Sequence, residues 1–535
     1  VDKKIKWFLY IVIFTLEAIC GYYVYHVKGF VFGDAISRTA NAFYVLYIDP
    51  PHLASIGTVW NPLPSLLQIP LMLLWSIYKP IASSALTGVL MSSAFAAGNV
   101  VLIYKSAIDF GRSKLTGIML ALLFCFNPFM FIYGFSGMTE VPFAFMIIWL
   151  ITNYTQWLEK DESAYIIQMA LALALAFLIR YEILPIAACL FLAVALITMK
   201  VQRENLDPEL RTSFKYSLGR VEGNSILLFA PIMYTILVWI LYNWIVTGNP
   251  FYFMNSIYSV AGFTRSYAIN TTLNRLVGNL GNVFRYAFKC TEFFILPLVV
   301  IILYRVLKLK VFKWDLLTLL LLIGATLILQ LYLLYKGSSA GALRYFIYPL
   351  TIIIAWFPYE MKQVNSKLFT LLGVVILIVA DVGLGSVWFE KQAFVGIQEE
   401  VTDLQFKKPP IEETQREVAR YINHKLPNAR ILMDSFRTYT VILTVNRPRN
   451  LVVSCSYQFE KAILNPQLFK IDYVIVPSPL NDVNTQDALN RQYPDLYGNG
   501  ASWCTLVQEF NGYYRLYRVH EPAKKYHLTK LGVCK

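Results

Sequence analysis

Apolar runs near membrane-spanning length, broken by short polar connectors, fill residues 1–388 of the chain. They fall at 5–27, 83–104, 115–135, 138–157, 164–180, 183–199, 224–247, 290–305, 315–335, 346–360 and 367–388. A bilayer's hydrocarbon core needs about 20 apolar residues per helix, so this pattern predicts a polytopic α-helical membrane protein with about eleven spans. The first run follows Lys3, Lys4 and Lys6. It is too long and too aromatic for the core of a cleavable signal peptide and reads as an anchor with its N-terminus in the cytoplasm.

One apolar stretch does not fit the alternation. NPLPSLLQIPLMLLWSIY (61–78) is rich in proline. As a span it would carry the basic connector 105–114 to the outer side, against the positive-inside rule. It is read instead as a helix lying along or dipping into the outer interface, within a long first external loop at 28–82. The connectors at 105–114, 200–222, 305–313 and 360–367 hold Lys105, Arg112, Lys114, Arg203, Arg211, Arg305, Lys308 and Lys362 among others. Counted from a cytoplasmic N-terminus, all four fall inside, and the odd number of spans puts the C-terminal part outside.

From residue 389 the period changes. Short β-type runs (ARILMDS, NLVVSC, DYVIVPS, SWCTLVQEF, YYRLYRV) alternate with helix-like stretches such as IEETQREVARYINHKL. Strands alternating with helices predict a soluble α/β domain. Two domains are therefore expected: a membrane domain at 1–388 and an extracytoplasmic α/β domain at 389–535. No Gly-rich phosphate loop opens a helix in the second.

Composition agrees with the pattern. The chain is 57% apolar and only 15% charged, with mean hydropathy +0.51; soluble proteins carry roughly 25% charged residues. The net charge of +14 sits mainly between apolar runs, which argues for membrane orientation and against nucleic acid. Seven cysteines include no CxxC pair; Cys455 and Cys504 are either a disulfide of an oxidising compartment or unrelated thiols. Five scattered histidines argue against a His-rich metal site.

Chemistry concentrates on one predicted face. The first loop brings Asp34, Arg38, Asp49, His52, Trp60 and Asn61. SGMTEVP (136–142) adds Glu140, IRYEILP (179–185) adds Arg180, Tyr181 and Glu182, and YKGSSAGALRYFIYP (335–349) adds Lys336, Arg344 and Tyr345. Taken singly, each has a plain structural reading: arginines at helix ends snorkel, loop aspartates cap helices, and interfacial aromatics form belts. Glu17 and Asp381 lie inside spans, where ionisable groups usually face the protein interior. As a constellation, an acid above helix mouths that bear arginines suits a lipid-borne phosphate held by charge-assisted hydrogen bonds, with Asp34 taking a proton from an incoming hydroxyl.

This layout resembles the GT-C fold glycosyltransferases that use polyprenyl-phosphate sugars, among them protein O-mannosyltransferases, the aminoarabinose transferase of lipid A and mycobacterial arabinofuranosyltransferases. The resemblance rests on the acid of "GD" after the first span, the long first external loop, the proline-rich WNPLPSLLQ, the GMTE turn and the Arg344–Tyr345 pair before a late span. It implies inverting transfer to an acceptor hydroxyl, with Asp34 as general base. Arg344, Tyr345, Arg180 and Lys336 would hold the donor phosphate. Arg38, Asp49, His52, Trp60, Asn61, Glu140, Tyr181 and Glu182 would contact acceptor or sugar. No DxD lies in the first loop, so metal-independent transfer is favoured over a divalent cofactor. The expected partners are a polyprenyl-phosphate sugar, a glycan, lipid or protein acceptor, and membrane lipids. The expected location is a bacterial plasma membrane with the active face extracytoplasmic. The alternative is a transporter or flippase; the clustering at one face and the lack of an internal repeat argue against it.

Overall fold

The computed structural model describes residues 2–200, 214–256, 259, 271–387, 406, 409–479 and 486–521. Arg203, Arg211 and the expected domain boundary at 388/389 lie outside them. Chain contacts divide the protein into two compact units: 1–39, 58–71 and 84–407 form the first, and 40–57, 72–83 and 408–535 the second.

The first unit is helical throughout its described residues. Its long helices are α1 (Asp2–Tyr22), α2 (Gly33–Tyr47, whose last turns belong to the second unit), α3 (Leu63–Met72), α4 (Leu86–Asp109), α5 (Lys114–Cys125), α6 (Pro128–Phe135), α7 (Glu140–Lys160), α8 (Ser163–Phe177), α9 (Ile183–Lys200), α10 (Phe214–Thr247), α11 (Leu280–Leu307), α12 (Trp314–Tyr335), α13 (Tyr348–Val364) and α14 (Lys367–Val387). Seven helices among the described residues are long and apolar enough to cross a membrane, and eight if α5 and α6, bent by 72°, make one span. The chain is therefore an α-helical multi-pass membrane protein. Helices α7, α8 and α13 overlap the other three expected spans. The stretch expected at the interface is a short helix, α3, continued by a 3-10 turn at Leu73–Ser76.

The α5–α6 bend has a local cause. Asn127 sits at the break, its side-chain oxygen accepting from the Phe129 and Met130 amides while Pro128 opens α6. Its Nδ2 donates to Asp381 Oδ1 of α14 at 2.7 Å. Glu17 of α1 is fully buried and packs against Gly134 of α6, where a Cβ would lie 2.5 Å from Glu17 Oε1. Both intramembrane acids thus face protein interior.

At the other side of the unit, a buried ion network joins three helices. Arg305 of α11 donates from Nε and Nη2 to Glu360 of α13 at 2.6 and 2.7 Å, and from Nη1 and Nη2 to Asp315 of α12 at 3.2 and 2.8 Å. Trp356 Nε1 and Tyr359 Oη complete the carboxylates at 3.3 Å each. Arg305, counted among the basic residues of the 305–313 connector, is buried and paired.

The second unit holds a five-stranded sheet in the order β2-β1-β3-β5-β4, with β1 (Ile431–Leu432), β2 (Leu451–Val452), β3 (Tyr473–Pro477), β4 (Cys504–Phe510) and β5 (Tyr514–Val519). β1 pairs in parallel with β2 and β3, and β5 runs antiparallel to β3 and β4. Each strand lies in one of the β-type runs read from sequence, and α15 (Pro410–Lys425) lies in the expected helical stretch. Leu432, Val474, Val476, Leu489 and Tyr517 build its core. Asp434 ties the strand ends together: it caps α16 (Ser435–Thr444) through Phe436 N and accepts from Ala488 N. Phe43, Tyr47 and Trp75 of the first loop cluster within this unit, with ring centroids 4.5–5.1 Å apart. Cys455 and Cys504 are free thiols.

Candidate functional site

The site is built on helix ends of the first unit. Three fixings place its parts. Gln68 Oε1 of α3 accepts from Thr39 of α2 at 2.8 Å and Thr87 of α4 at 2.7 Å, so the start of α2 is held to both neighbours. Asn61 Nδ2 donates to Phe177 O at 2.6 Å, the Leu63 amide donates to Leu178 O at 3.0 Å, and Tyr181 Oη donates to Val59 O at 3.3 Å. These bonds fasten the proline-rich stretch to the end of α8. Gly137, in the GMTE turn, adopts φ +71° and backs onto Gly88, where a Cβ would meet backbone at 2.9 Å; only glycine satisfies both demands. Its amide donates to Ser92 Oγ at 2.9 Å, which fixes the turn that delivers Glu140.

These elements bring together three arginines and three acids. Arg180 Nη1 pairs with Glu140 Oε1 at 2.9 Å and Nη2 with Glu182 Oε1 at 2.6 Å. Arg344 Nη2 pairs with Asp34 Oδ2 at 3.1 Å, and its Nε lies 3.8 Å from Glu140 Oε1. Thr139 Oγ1 accepts a further bond from Arg180 at 3.2 Å. The Tyr345 ring is shared by both guanidiniums, with the Arg180 and Arg344 centres 5.7 and 5.5 Å from its centroid. Arg38 stands one helical turn after Asp34, on the same face of α2, and its guanidinium lies 4.3 Å from the Trp60 ring centroid.

Burial grades across the cluster. The Glu140 side chain is 1% exposed, Arg180 11%, Arg344 23% and Asp34 43%. The acid expected to do chemistry is thus the open one, and those beneath it are enclosed. Burial works against the Arg180 charge, but Glu182, Tyr348 and Glu140 more than offset it and hold that charge firmly. Arg344 behaves alike, with Tyr345, Asp34 and Glu140 outweighing burial. Burial opposes the Glu182 charge too, yet Arg180 keeps its carboxyl below the ordinary glutamate value. For Arg38 burial wins: its guanidinium is pushed down to about 10, because Asp34 and Glu140 are countered by Arg180 and Arg344. It still carries its charge at neutral pH.

The other sequence candidates are placed differently. Tyr181 Oη accepts from Trp239 Nε1 at 2.9 Å and its ring stacks on Phe253, so it supports the loop beside Arg180. Lys336 is exposed at the cap of α12, with no ion pair among the described residues. Asp49 and His52 belong to the second unit. There His52 stacks on Tyr457 at 4.2 Å and Asp49 is exposed. Among the described residues no group of three His, Cys, Asp or Glu side chains is arranged to hold a metal ion. An open cleft lined by Lys105, Asp109, Gln156 and Glu162 lies at the far ends of α4 and α7, away from these pairs.

Sequence reasoning did not single out Thr139, Gln68 or the Gly88–Gly137 contact. Their only visible signal was the GMTE turn itself, since a supporting hydrogen bond between distant segments leaves no local pattern.

Together the helices and the ion cluster define a multi-pass membrane protein with a charged, partly open site at one end of its helices. No protein-family model matches the chain, and no curated protein matches it. Among solved structures it is similar to ArnT from Cupriavidus metallidurans bound to undecaprenyl phosphate, at 10% identity and a TM-score of 0.49 over 95% of this chain and 97% of that one. The apo state of that ArnT gives 11% identity and a TM-score of 0.49 over the same shares. The apo oligosaccharyltransferase of Archaeoglobus fulgidus gives 10% and 0.44, over 88% of this chain and 70% of that one.

Proposed function

We propose that the protein is a membrane glycosyltransferase of the GT-C type. It would move a sugar from a polyprenyl-phosphate donor to an acceptor hydroxyl on the extracytoplasmic face of a plasma membrane. The observation that carries this reading is the half-open Asp34 carboxylate, held 3.1 Å from Arg344 beside a largely enclosed Arg180–Glu140–Glu182 network. A carboxylate so placed can accept the hydroxyl proton as the acceptor oxygen bonds to the anomeric carbon. The bond from that carbon to the phosphate oxygen breaks on the opposite face, and the electron pair leaves with the lipid phosphate. Fixed guanidiniums meet the charge that develops there, an effect strongest where water is excluded. One base suffices for a single displacement, so the sugar inverts. The apolar helices below the site take the polyprenyl tail. In this reading the topology is N-in and C-out with eleven spans, and the α/β part is extracytoplasmic.

The test uses the full-length protein in lipid vesicles with radiolabelled polyprenyl-phosphate sugars. Wild type should release free polyprenyl phosphate as sugar reaches acceptor, whereas Asp34→Asn should bind the donor, melt normally and release almost none. Full activity in that variant would defeat the reading. Movement of intact lipid-linked sugar across the bilayer without bond cleavage would favour a flippase.

A further inference from the structure

Three arginines and three acids meet in the cluster, but they are not equally committed. Arg180 is taken by Glu140 and Glu182, and Arg344 by Asp34. Arg38 forms no ion pair among the described residues. It is only 9% exposed, and its buried Nε and Nη1 have no hydrogen-bond partner among the described residues. One face is covered by the Trp60 indole, and Ser65 Oγ donates to its carbonyl at 3.0 Å, which holds that turn of α2 in place. A cation buried without an anion is costly, and folding alone gives no reason to keep it. Polar groups orphaned in this way need an explanation, and an absent ligand is the one that fits a guanidinium stacked under an aromatic ring.

We infer that Arg38, backed by Trp60, is the residue that holds the donor's phosphate, while Arg180 and Arg344 chiefly fix the acids around it. This rests on the proposed transfer reaction for the identity of the anion. It reverses the expectation from sequence, which gave the phosphate to Arg344 and Arg180 and gave Arg38 to the sugar or acceptor. One uncommitted cation matches a phosphodiester bearing a single charge. A phosphate oxygen accepting from Nη1 or Nε would give an orphaned donor a charge-assisted hydrogen bond. Trp60 then acts as a lid on the guanidinium, fixed through the neighbouring bonds of Val59 and Asn61 to Tyr181 and Phe177.

The test compares full-length wild type with Arg38→Gln, Arg38→Lys, Trp60→Leu and Arg344→Gln in lipid nanodiscs. The probes are a polyprenyl phosphate, the polyprenol of equal length and inorganic phosphate. Wild type should prefer the lipid phosphate to the alcohol by about 10- to 100-fold, the range for hydrogen bonds to a charged group. Arg38→Gln should bind both alike, Arg38→Lys and Trp60→Leu should fall between, and Arg344→Gln should keep most of the preference. Ligand-free Arg38→Gln should melt at or above the wild-type temperature, because a buried uncompensated charge has gone; a structural arginine would give the reverse. Retained preference in Arg38→Gln with loss in Arg344→Gln overturns the assignment. Loss of protection by inorganic phosphate alone, with the lipid preference intact, puts the anion on the acceptor and also overturns it. If wild type bound lipid phosphate through Arg38 yet never transferred sugar, the proposed reaction would fail and this assignment would stand.

Discussion

Two ion clusters of similar composition stand at opposite ends of α13, and they differ in how completely they are satisfied. Near its C-terminus, Glu360 and Asp315 surround Arg305, and every buried polar atom of the three has a partner. Before its N-terminus, Arg344 joins Asp34, Glu140, Arg180, Glu182 and Arg38, where Arg38 Nε and Nη1 and Glu140 Oε2 are buried without partners among the described residues. They are about 20 Å apart along the helix, given 1.5 Å per residue. Composition therefore does not separate a structural lock from a site. The lock closes its own hydrogen bonds, and the site leaves donors and an acceptor for something else to complete.

That contrast can be broken at either end. The largest effect is expected at Asp34. Asp34→Asn should lower sugar transfer by about 10²- to 10⁴-fold, the usual contribution of a general base, with melting unchanged; a parallel loss of stability would make Asp34 a structural partner of Arg344. At the lock the effect should fall on stability. Arg305→Met leaves two buried carboxylates without their cation and should cost about 3–5 kcal/mol. Adding Asp315→Asn and Glu360→Gln to it should recover much of that loss. Turnover per folded molecule should stay at the wild-type level throughout, and a change in turnover would tie the lock to the chemistry.

A smaller effect sharpens the electrostatics of the site. Arg180 holds the folded Glu182 carboxyl below its ordinary value. Its contribution is then fully present above the unfolded glutamate pKa of about 4.3 and is lost as pH falls through the lower folded value. Glu182→Gln should cost about 1 kcal/mol at neutral pH and flatten the acid side of the stability curve. An acid limb identical to wild type would show that Glu182 is not the group titrating there.

How legible the molecule was follows the range of the forces involved. Helices and strands were readable because hydrophobic period is local: α1, α4, α10 and α12 overlap apolar runs visible in the sequence, and the five strands fall within its β-type runs. Asp34, Arg180, Glu140 and Arg344 could be nominated because each sits at the end of an apolar run. Their pairing could not, since it joins residues 34, 140, 180 and 344 through tertiary packing. The same blindness hid the pairing of Arg305 in its basic connector and left Glu360 unnoticed. Arg38 was visible as a charge near Asp34, but only the structure reveals which guanidinium remains uncommitted.

The most direct measurement is a cryo-EM structure of the full-length protein with a polyprenyl phosphate bound. Phosphate density should lie at the Asp34 end of the helices, within hydrogen-bond reach of Arg38 and under Trp60, with the tail running between apolar helices. Density at the Arg305 end, or a phosphate remote from all three arginines of the open cluster, would contradict the account.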